Sequence, residues 1–220
     1  MAKLLSALPV GSVVKSTNTK YNGKVIRWIV GTQDTANGRT GLVAEKMITL
    51  KCFDAKESSN PNSSRQSYGN NRYSQSNIDQ WLNSQAASWY SARHSYDAPP
   101  NNANVWSNYN EYDTEAGFLA NFEADFRAAI LDTVIRVAKN TVTDGGGYED
   151  ITRKVFLLSN TEVGLSNENS VAEGALWSYF SSAARRQCYP TAEAVSNSEY
   201  TNSSLNASSY WYWWLRTPYA

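Results

Sequence analysis

The single histidine, His94, is the first residue to test for chemistry, because imidazole is the side chain most often used as a general acid or base. It follows Arg93 in a loop-like stretch, and the sequence holds no second histidine that could share a metal ion with it. A histidine-dependent triad also needs a nucleophile, and the chain has no Gly-x-Ser-x-Gly motif. We therefore predict that His94 is a surface histidine without a catalytic role.

Two other patterns are typical of reactive or phosphate-binding sites. The run Asp144–Gly147 has the glycines of a phosphate cradle, but no Lys-Ser or Lys-Thr pair follows it and no helix begins there. The carboxylate pairs Glu123 with Asp125 and Glu149 with Asp150 fall on a predicted helix face and in a predicted turn. We interpret the glycine run as a hairpin turn. We predict no catalytic residues, so the protein is not expected to be an enzyme.

Metal ligands and reactive thiols are equally sparse in the sequence. Cys52 and Cys188 are far apart, and no Cys/His spacing matches a zinc site. Long loops rich in Asp and Asn can bind calcium, but no Asp-x-Asp-x-Asp-Gly pattern supports such a site here. We expect no cofactor, no metal and two free, partly buried thiols.

The charge balance bears on the kind of partner. Twenty basic residues offset twenty acidic residues, which argues against nucleic acid or an anionic membrane as the target. No segment approaches the ~20 apolar residues of a membrane span, and the apolar run in Met1–Val10 is too short for a secretory signal. Serine (27) and asparagine (22) together outnumber all the charged residues, which favours long, hydrogen-bonded loops.

The remaining composition favours recognition. Tyr, Trp, Ser, Asn and Gly make adaptable binding surfaces, because rigid rings stand beside small polar groups. The same mixture suits stacking and hydrogen bonding to sugars, although the rings could instead fill a core between the loops. The candidate ligand-binding residues are the loop aromatics and three side chains near the C-terminus, namely Tyr68, Tyr73, Tyr96, Trp106, Tyr109, Tyr112, Tyr210, Tyr212 and Arg216.

The C-terminal stretch Ser209–Ala220 contains three of the eight tryptophans. If Tyr210–Leu215 is a strand, its successive rings point to opposite faces, and both faces are aromatic. Such a pattern predicts a strand that is covered on both sides.

The strand signals that position these residues begin with a hairpin. Val10–Lys15 and Val25–Val30 are predicted strands, joined through the Asn-Gly turn of Tyr21–Lys24. Another strand is expected at the start of Leu42–Phe53, followed by irregular chain.

Three helices and two further strands complete the expected elements. Ser76–Asp79 has capping-box spacing ahead of a short helix at about 77–84. The phenylalanines of Phe118–Ile130 recur every four residues, which predicts one amphipathic helix. The last helix and the two strands are expected at Val171–Phe180, Thr133–Thr143 and Lys154–Ser159.

The long stretch Ser91–Thr114 is predicted to be an ordered loop that packs on the domain through its rings. No internal repeat or linker is evident in the sequence. We predict a single α+β domain over residues 1–220, with antiparallel sheets, two or three short helices and long ordered loops.

Several short motifs occur in an order that resembles a bacterial and phage domain family of unknown function. They are Gly11–Lys15, Ile26–Val30, Asn77–Asn83, Lys154–Glu162, Pro190–Ala192 and Trp213–Pro218. The resemblance implies a C-type-lectin-like fold, as in sulfatase-modifying enzymes and variable phage receptor-binding proteins. The enzymes of that fold use cysteines near its C-terminal end. Cys188 stands alone there, so the enzymatic branch is not supported.

Members of the family continue beyond the Trp-Trp-Leu-Arg motif with a hairpin and a closing strand, which this chain lacks. Either the gene is truncated, or the missing strands come from another chain. We expect that a second copy or another virion chain covers the aromatic strand. The expected function is a non-enzymatic host-recognition domain of a phage tail or baseplate, bound to a bacterial surface glycan or protein. The alternatives are a virion structural or assembly protein and a bacterial cell-surface adhesin module.

Overall fold

Two antiparallel sheets carry the strands in the computed structural model, which describes residues 4–219. The strands are β1 (Val13–Tyr21), β2 (Lys24–Asp34), β3 (Arg39–Ala44), β4 (Thr133–Ala138) and β5 (Tyr148–Arg153). The first sheet has the order β1-β2-β3, and the second pairs β4 with β5. The predicted α+β class with antiparallel sheets is confirmed.

Short helices lie between the strands. Within residues 4–219 the α-helices are α1 (Ser63–Tyr68), α2 (Asn77–Leu82), α3 (Ala124–Ala129) and α4 (Ala192–Ser196). Single turns of 3-10 helix occur at Leu5–Ala7, Tyr73–Gln75, Trp106–Asn108, Phe118–Asn121, Ser178–Phe180 and Ala183–Arg186. Helices α1 and α4 were not predicted, although each begins at a side-chain cap, Asn62 and Thr191 respectively.

The β1-β2 hairpin forms where the Asn-Gly signal predicts it. Asn22 and Gly23 both have positive φ (47° and 76°), the combination that a type I′ turn requires. The ladder pairs Tyr21 with Lys24 and, at its far end, Val13 with Ile29. The predicted capping of α2 is also confirmed, because the Ser76 hydroxyl accepts a hydrogen bond from the Asp79 N–H.

The single helix predicted over Phe118–Ile130 is wrong. A 3-10 turn ends at Asn121, Phe122 is extended (φ −107°, ψ 143°), and α3 begins only at Ala124. The break occurs because this segment pairs with β1, where the Glu123 N–H donates to the Asn18 carbonyl at 2.9 Å. Phe122 is thereby placed against Trp28, with ring centroids 6.3 Å apart.

The strand predicted at Lys154–Ser159 is also wrong, because side chains replace the ladder. Asn83 Oδ1 accepts hydrogen bonds from the Lys154 N–H (3.0 Å) and the Val155 N–H (3.2 Å). The Leu157 N–H donates to the Tyr73 hydroxyl at 3.2 Å. The segment is therefore fixed by residues that lie 71 to 84 positions earlier in the chain.

Two further predicted elements are shorter than expected. Strand β4 ends at Ala138, and the turn that follows it contains Asp144–Gly147. The helix predicted at Val171–Phe180 is reduced to its last three residues. Gly174 interrupts that helix with φ of 99°, and a Cβ there would lie 2.9 Å from Glu162 Oε1.

The C-terminal aromatic stretch is not the central strand that its pattern predicts. Its only β contact among the described residues is an isolated bridge between Trp211 and Cys188. Tyr210, Tyr212 and Trp214 are exposed, whereas the alternate residues of the stretch are half-buried. The alternation is thus real, but one face remains open to solvent in the isolated chain.

Two hydrophobic clusters form the core. The larger one surrounds Trp81 of α2 and joins residues from β1, β2, β4 and the predicted ordered loop. The smaller one contains Leu158, Val163 and Phe180, with Trp213 stacked on Phe180 at 6.1 Å. The tryptophans of the last stretch therefore contribute to the core on one side only.

Candidate ligand-binding surface

Two loops that are distant in sequence are held side by side around Asn110 and Glu199. The Asn110 N–H donates to Glu199 Oε2 (2.7 Å), and the Glu199 N–H donates to Asn110 Oδ1 (2.9 Å). Asn110 Nδ2 also donates to Ser198 Oγ at 3.2 Å. Because both partners are linked in both directions, the aromatic residues that flank this pair have fixed relative positions.

Five aromatic side chains from three segments meet beside this pair, and we call them the aromatic row: Trp106, Tyr109, Tyr200, Trp211 and Tyr212. The Tyr200 ring lies at the centre, with centroid distances of 6.3 Å to Trp106, 6.0 Å to Tyr109 and 6.4 Å to Trp211. Tyr212 extends the row from Trp211 at 5.5 Å. The rings are tilted or edge-to-face, which is the favoured geometry of aromatic pairs.

The row is open to solvent at its two ends. Trp106 is 51% exposed and Tyr212 is 87% exposed, while the three rings between them are half-buried. The Trp211 N–H donates to the Cys188 carbonyl at 2.9 Å, which anchors this end of the row to the body of the domain. The arrangement presents ring surface to water on a fixed backbone.

A cleft of about 180 Å³ adjoins the row, because Asn110, Ser198 and Glu199 line it. Its wall also contains Tyr21 and the polar side chains Lys51, Glu111, Glu115 and Asn197. This volume holds several water molecules and is smaller than most drug-sized pockets. The cleft therefore places polar groups beside the row.

Inside the cleft, Lys51 is committed to internal contacts. Its side chain is 4% exposed, and its ammonium lies 2.7 Å from Glu115 and 4.8 Å from the Tyr112 ring centroid. Burial lowers the pKa of Lys51, and the carboxylate of Glu115 opposes that shift. Burial, followed by the charge of Glu115, raises the pKa of the Tyr21 phenol, so Tyr21 stays neutral.

Six of the nine predicted ligand-binding residues reach the surface. Trp106, Tyr109 and Tyr212 belong to the aromatic row. Tyr210 is exposed and contacts Tyr189 instead of the row, at 6.3 Å between ring centroids. Tyr68 and Tyr96 are exposed outside the row.

The other three predicted residues are buried, and their assignment to a surface site is corrected here. Tyr73, Tyr112 and Arg216 are each 0% exposed. Tyr112 stacks on Trp89 at 5.4 Å and donates its hydroxyl hydrogen to the Cys52 carbonyl. Both tyrosines act as core residues whose hydroxyls satisfy buried backbone groups.

Arg216 is the centre of a buried polar network. Its guanidinium binds both carboxylate oxygens of Glu162, at 2.6 and 3.0 Å. It also donates to the carbonyls of Arg136, Leu157 and Glu173. The ion pair therefore joins two of the motifs quoted above and holds the fold together. These motifs are Trp213–Pro218 and Lys154–Glu162.

His94 is not the surface histidine that the sequence predicts. Its side chain is 16% exposed, and Nε2 lies 3.3 Å from Oε1 of the fully buried Glu57. The other oxygen of Glu57 accepts a hydrogen bond from Asn60 Nδ2. The histidine therefore packs over a buried carboxylate and takes no part in the aromatic row.

Both cysteines are free and half-buried, as predicted. Burial raises the pKa of the Cys52 thiol to about 12, and burial also raises that of Cys188. Both thiols therefore remain protonated near neutral pH and are weak nucleophiles. Within residues 4–219, no group of three or more His, Cys, Asp or Glu side chains is placed to hold a metal ion.

The residues that the sequence reasoning missed are Tyr200, Trp211 and the cleft side chains. Tyr200 meets the same criterion as the other candidates, because it is a tyrosine in a loop rich in Ser and Asn. Trp211 had been assigned to the interior of a strand. The cleft residues carry no sequence signal, because Lys51, Glu115 and Glu199 come from three separate parts of the chain.

The fold and site define a small α+β domain whose ordered loops assemble an aromatic surface. A family model described as "Domain of unknown function (DUF6273)" matches residues 37–220, and the chain belongs to this family. This agrees with the expectation of a domain family of unknown function. Neither the curated proteins nor the solved structures yielded a match to the chain. Among the described residues, no helix is long and apolar enough to cross a membrane.

Proposed function

We propose that this protein is a non-enzymatic binding domain that attaches to a bacterial surface glycan or protein through the aromatic row. The observation that carries the proposal is the exposure of Trp106 and Tyr212 at the ends of a row built from three segments, two of which are linked by the Asn110–Glu199 pair. Exposed aromatic rings beside amides and hydroxyls are typical of recognition surfaces. The protonated state of both thiols also favours binding over cysteine chemistry.

The finer part of the proposal is a C-type-lectin-like fold in a virion, at a phage tail or baseplate. Its support is the resemblance of the ordered motifs, together with an α+β architecture in which long loops carry the exposed rings. A bacterial cell-surface adhesin with the same binding mode is the alternative location. It differs from the first in requiring export of the domain.

A binding assay on host material tests the proposal. The domain, labelled with a fluorophore, is incubated with intact cells and purified cell walls of candidate hosts, and bound protein is measured after washing. The Tyr212→Ala variant is expected to bind at least about tenfold less, since one stacked ring is worth roughly 1.4 kcal/mol or more. Tyr68→Ala is the matched control, because Tyr68 is also highly exposed but lies outside the row.

Equal binding by wild type and the Tyr212→Ala variant would remove the row from the proposal. Binding to no host material would remove the function itself. Digesting the cell walls with protease before the assay separates a protein receptor from a glycan receptor.

A second candidate function is virion assembly, and the exposed face of the last stretch favours it. Tyr210, Tyr212 and Trp214 lie on one side and are each more than half exposed. Exposed apolar faces of this kind are typical of contacts between chains. Analytical ultracentrifugation separates the two functions. A stable oligomer that Trp214→Ala dissociates, with no binding to cells, supports assembly, whereas a monomer that binds cells supports recognition.

A further inference from the structure

Resting on the proposed function, we infer that the aromatic row binds an internal stretch of an uncharged glycan chain, at least three sugar rings long. The ligand class follows from five features of the surface: its continuity, the tilt between its rings, its open ends, its polar side chains and the charge of the adjoining cleft.

Continuity comes from the spacing of the rings. From Trp106 through Tyr200 and Trp211 to Tyr212, successive centroids are 6.3, 6.4 and 5.5 Å apart. These steps are similar to the distance between neighbouring pyranose rings in a polysaccharide. The four rings together present more surface than one sugar covers, so a monosaccharide contacts only part of the row.

The tilt between the rings decides how a chain lies on them. Neighbouring rings in this path differ in plane by 55°, 48° and 70°. A flat ligand cannot stack on all of them, whereas a glycan chain turns at each glycosidic bond and meets each ring separately. The geometry favours a twisted oligosaccharide over a planar ligand such as a nucleobase.

The open ends decide which part of the chain is bound. Trp106 and Tyr212 are the most exposed members of the row and stand at its two ends. Both end rings are exposed, so a polymer bound along the row extends past them into solvent. A site for a terminal sugar would enclose the ligand in a pocket.

Polar groups beside the row suit hydroxyl-rich ligands. The Tyr200 hydroxyl accepts a hydrogen bond from Asn202 Nδ2 at 3.1 Å, which orients both groups next to the central ring. The adjoining cleft adds the amide of Asn197 and the hydroxyl of Ser198. Amides and hydroxyls both donate and accept, as sugar hydroxyls do.

The charge of the exposed side chains in the cleft disfavours anionic glycan chains as ligands. Glu111 and Glu199 line the cleft and are exposed, whereas the only cationic side chain in that lining, Lys51, is buried against Glu115. The exposed charge of the cleft beside the row is therefore negative, and like charges repel a phosphate or carboxylate polymer. Neutral glycans carry no such penalty.

The test is an array that carries neutral β-glucan, mannan and N-acetylglucosamine oligomers of one to six sugars, with teichoic acid and hyaluronan as anionic polymers. For the neutral series that binds, affinity is expected to rise about tenfold for each sugar up to the third or fourth, and then to level off. Teichoic acid and hyaluronan are expected not to bind at physiological salt.

Variants at the two ends of the row test whether the dependence of affinity on oligomer length comes from the row. Tyr212→Ala and Trp106→Ala should each weaken binding of the longest oligomer about tenfold and leave the shortest binding oligomer unchanged. Tyr68→Ala should change neither. Glu111→Gln should increase any residual binding of the anionic polymers relative to the wild type.

Two patterns of binding on the array overturn the inference and leave the proposed function standing. One is strongest binding to single sugars, with no gain from added length. The other is binding to teichoic acid or hyaluronan in preference to every neutral series. If the domain binds cell walls in the earlier assay but no oligomer or polymer on the array, the ligand is not an uncharged glycan, and the inference fails. If it binds neither, the proposed function fails as well.

Discussion

Replacing Arg216 by methionine removes a buried guanidinium and leaves an apolar side chain of comparable length. In the native protein the guanidinium donates five hydrogen bonds, two to Glu162 and three to backbone carbonyls. The variant strands a charged carboxylate that is only 8% exposed in a cluster closed to water. Glu162 then keeps one other donor, the Ser159 N–H at 3.0 Å, and the Glu173 carbonyl keeps the Ser159 hydroxyl.

The size of the effect follows from burial. Breaking a buried ion pair by removing one partner costs about 3–5 kcal/mol, while an exposed pair contributes about 0–1 kcal/mol. Arg27 with Glu45 provides the exposed comparison, because the Arg27 side chain is more than half exposed. Arg216→Met is therefore expected to lower the unfolding free energy by at least about 3 kcal/mol, and Arg27→Met is expected to lower it far less.

Urea denaturation, followed by tryptophan fluorescence and far-UV circular dichroism, measures both variants. If Arg216→Met does not fold, Arg216→Lys keeps the charge with fewer donors and is expected to lose about half as much. Adding Glu162→Gln to Arg216→Met removes the stranded charge and should restore part of the loss. A loss for Arg216→Met no larger than that for Arg27→Met would refute the central role given to this ion pair.

Three further predictions concern other buried groups. Burial raises the pKa of Asp54 well above its usual value, so the folded state binds the proton more tightly. The urea midpoint of the wild type should therefore rise relative to Asp54→Asn as pH falls from 7 toward ~4, and a constant difference would contradict this. Asn83→Ala leaves two backbone amides without an acceptor. The substitution should lower the free energy of unfolding by about 2–3 kcal/mol, and it should speed hydrogen exchange at the Lys154 and Val155 amides. Burial raises the pKa of Cys52 to about 12 in the native protein. At pH 8 its thiol should therefore react with Ellman's reagent far more slowly in the native protein than in the protein unfolded by urea, which the absorbance of the released product measures.

Elements determined by neighbouring residues were predictable from the sequence. The Asn22–Gly23 turn and the Ser76 cap each depend on two to four consecutive residues, and both form as expected. The antiparallel α+β class followed from such local signals. The caps of α1 and α4 carry the same kind of signal but lie in sequence so rich in Ser and Asn that it did not stand out.

Elements determined by distant residues were not predictable. The Phe118–Ile130 periodicity is helical, yet pairing of Glu123 with Asn18 breaks the helix. Lys154–Ser159 has a strand's composition, yet Asn83 and Tyr73 take its amides. A single sequence does not reveal these partners, because none of them is adjacent in the chain.

The sequence predicts which types of residue form the candidate site, but it does not predict which particular residues belong to it. Tyr112 and Tyr109 are three residues apart in the same loop, and one is fully buried while the other belongs to the aromatic row. The difference is decided by packing against Trp89 for the first and against Tyr200 for the second. Loop aromatics could be selected as a group, but their exposure depends on the tertiary structure.

The Arg216 network has a consequence for synthesis on the ribosome. Glu162 is made 54 residues before Arg216, so a nascent chain carries this carboxylate for a few seconds without its guanidinium partner. During that interval the smaller hydrophobic cluster cannot close around an unpaired charge without the cost of burying it. Folding of this half of the domain is thereby held back until the aromatic stretch has left the exit tunnel. Synthesis of the Trp213–Pro218 motif therefore supplies the partner that the smaller hydrophobic cluster needs before it can close.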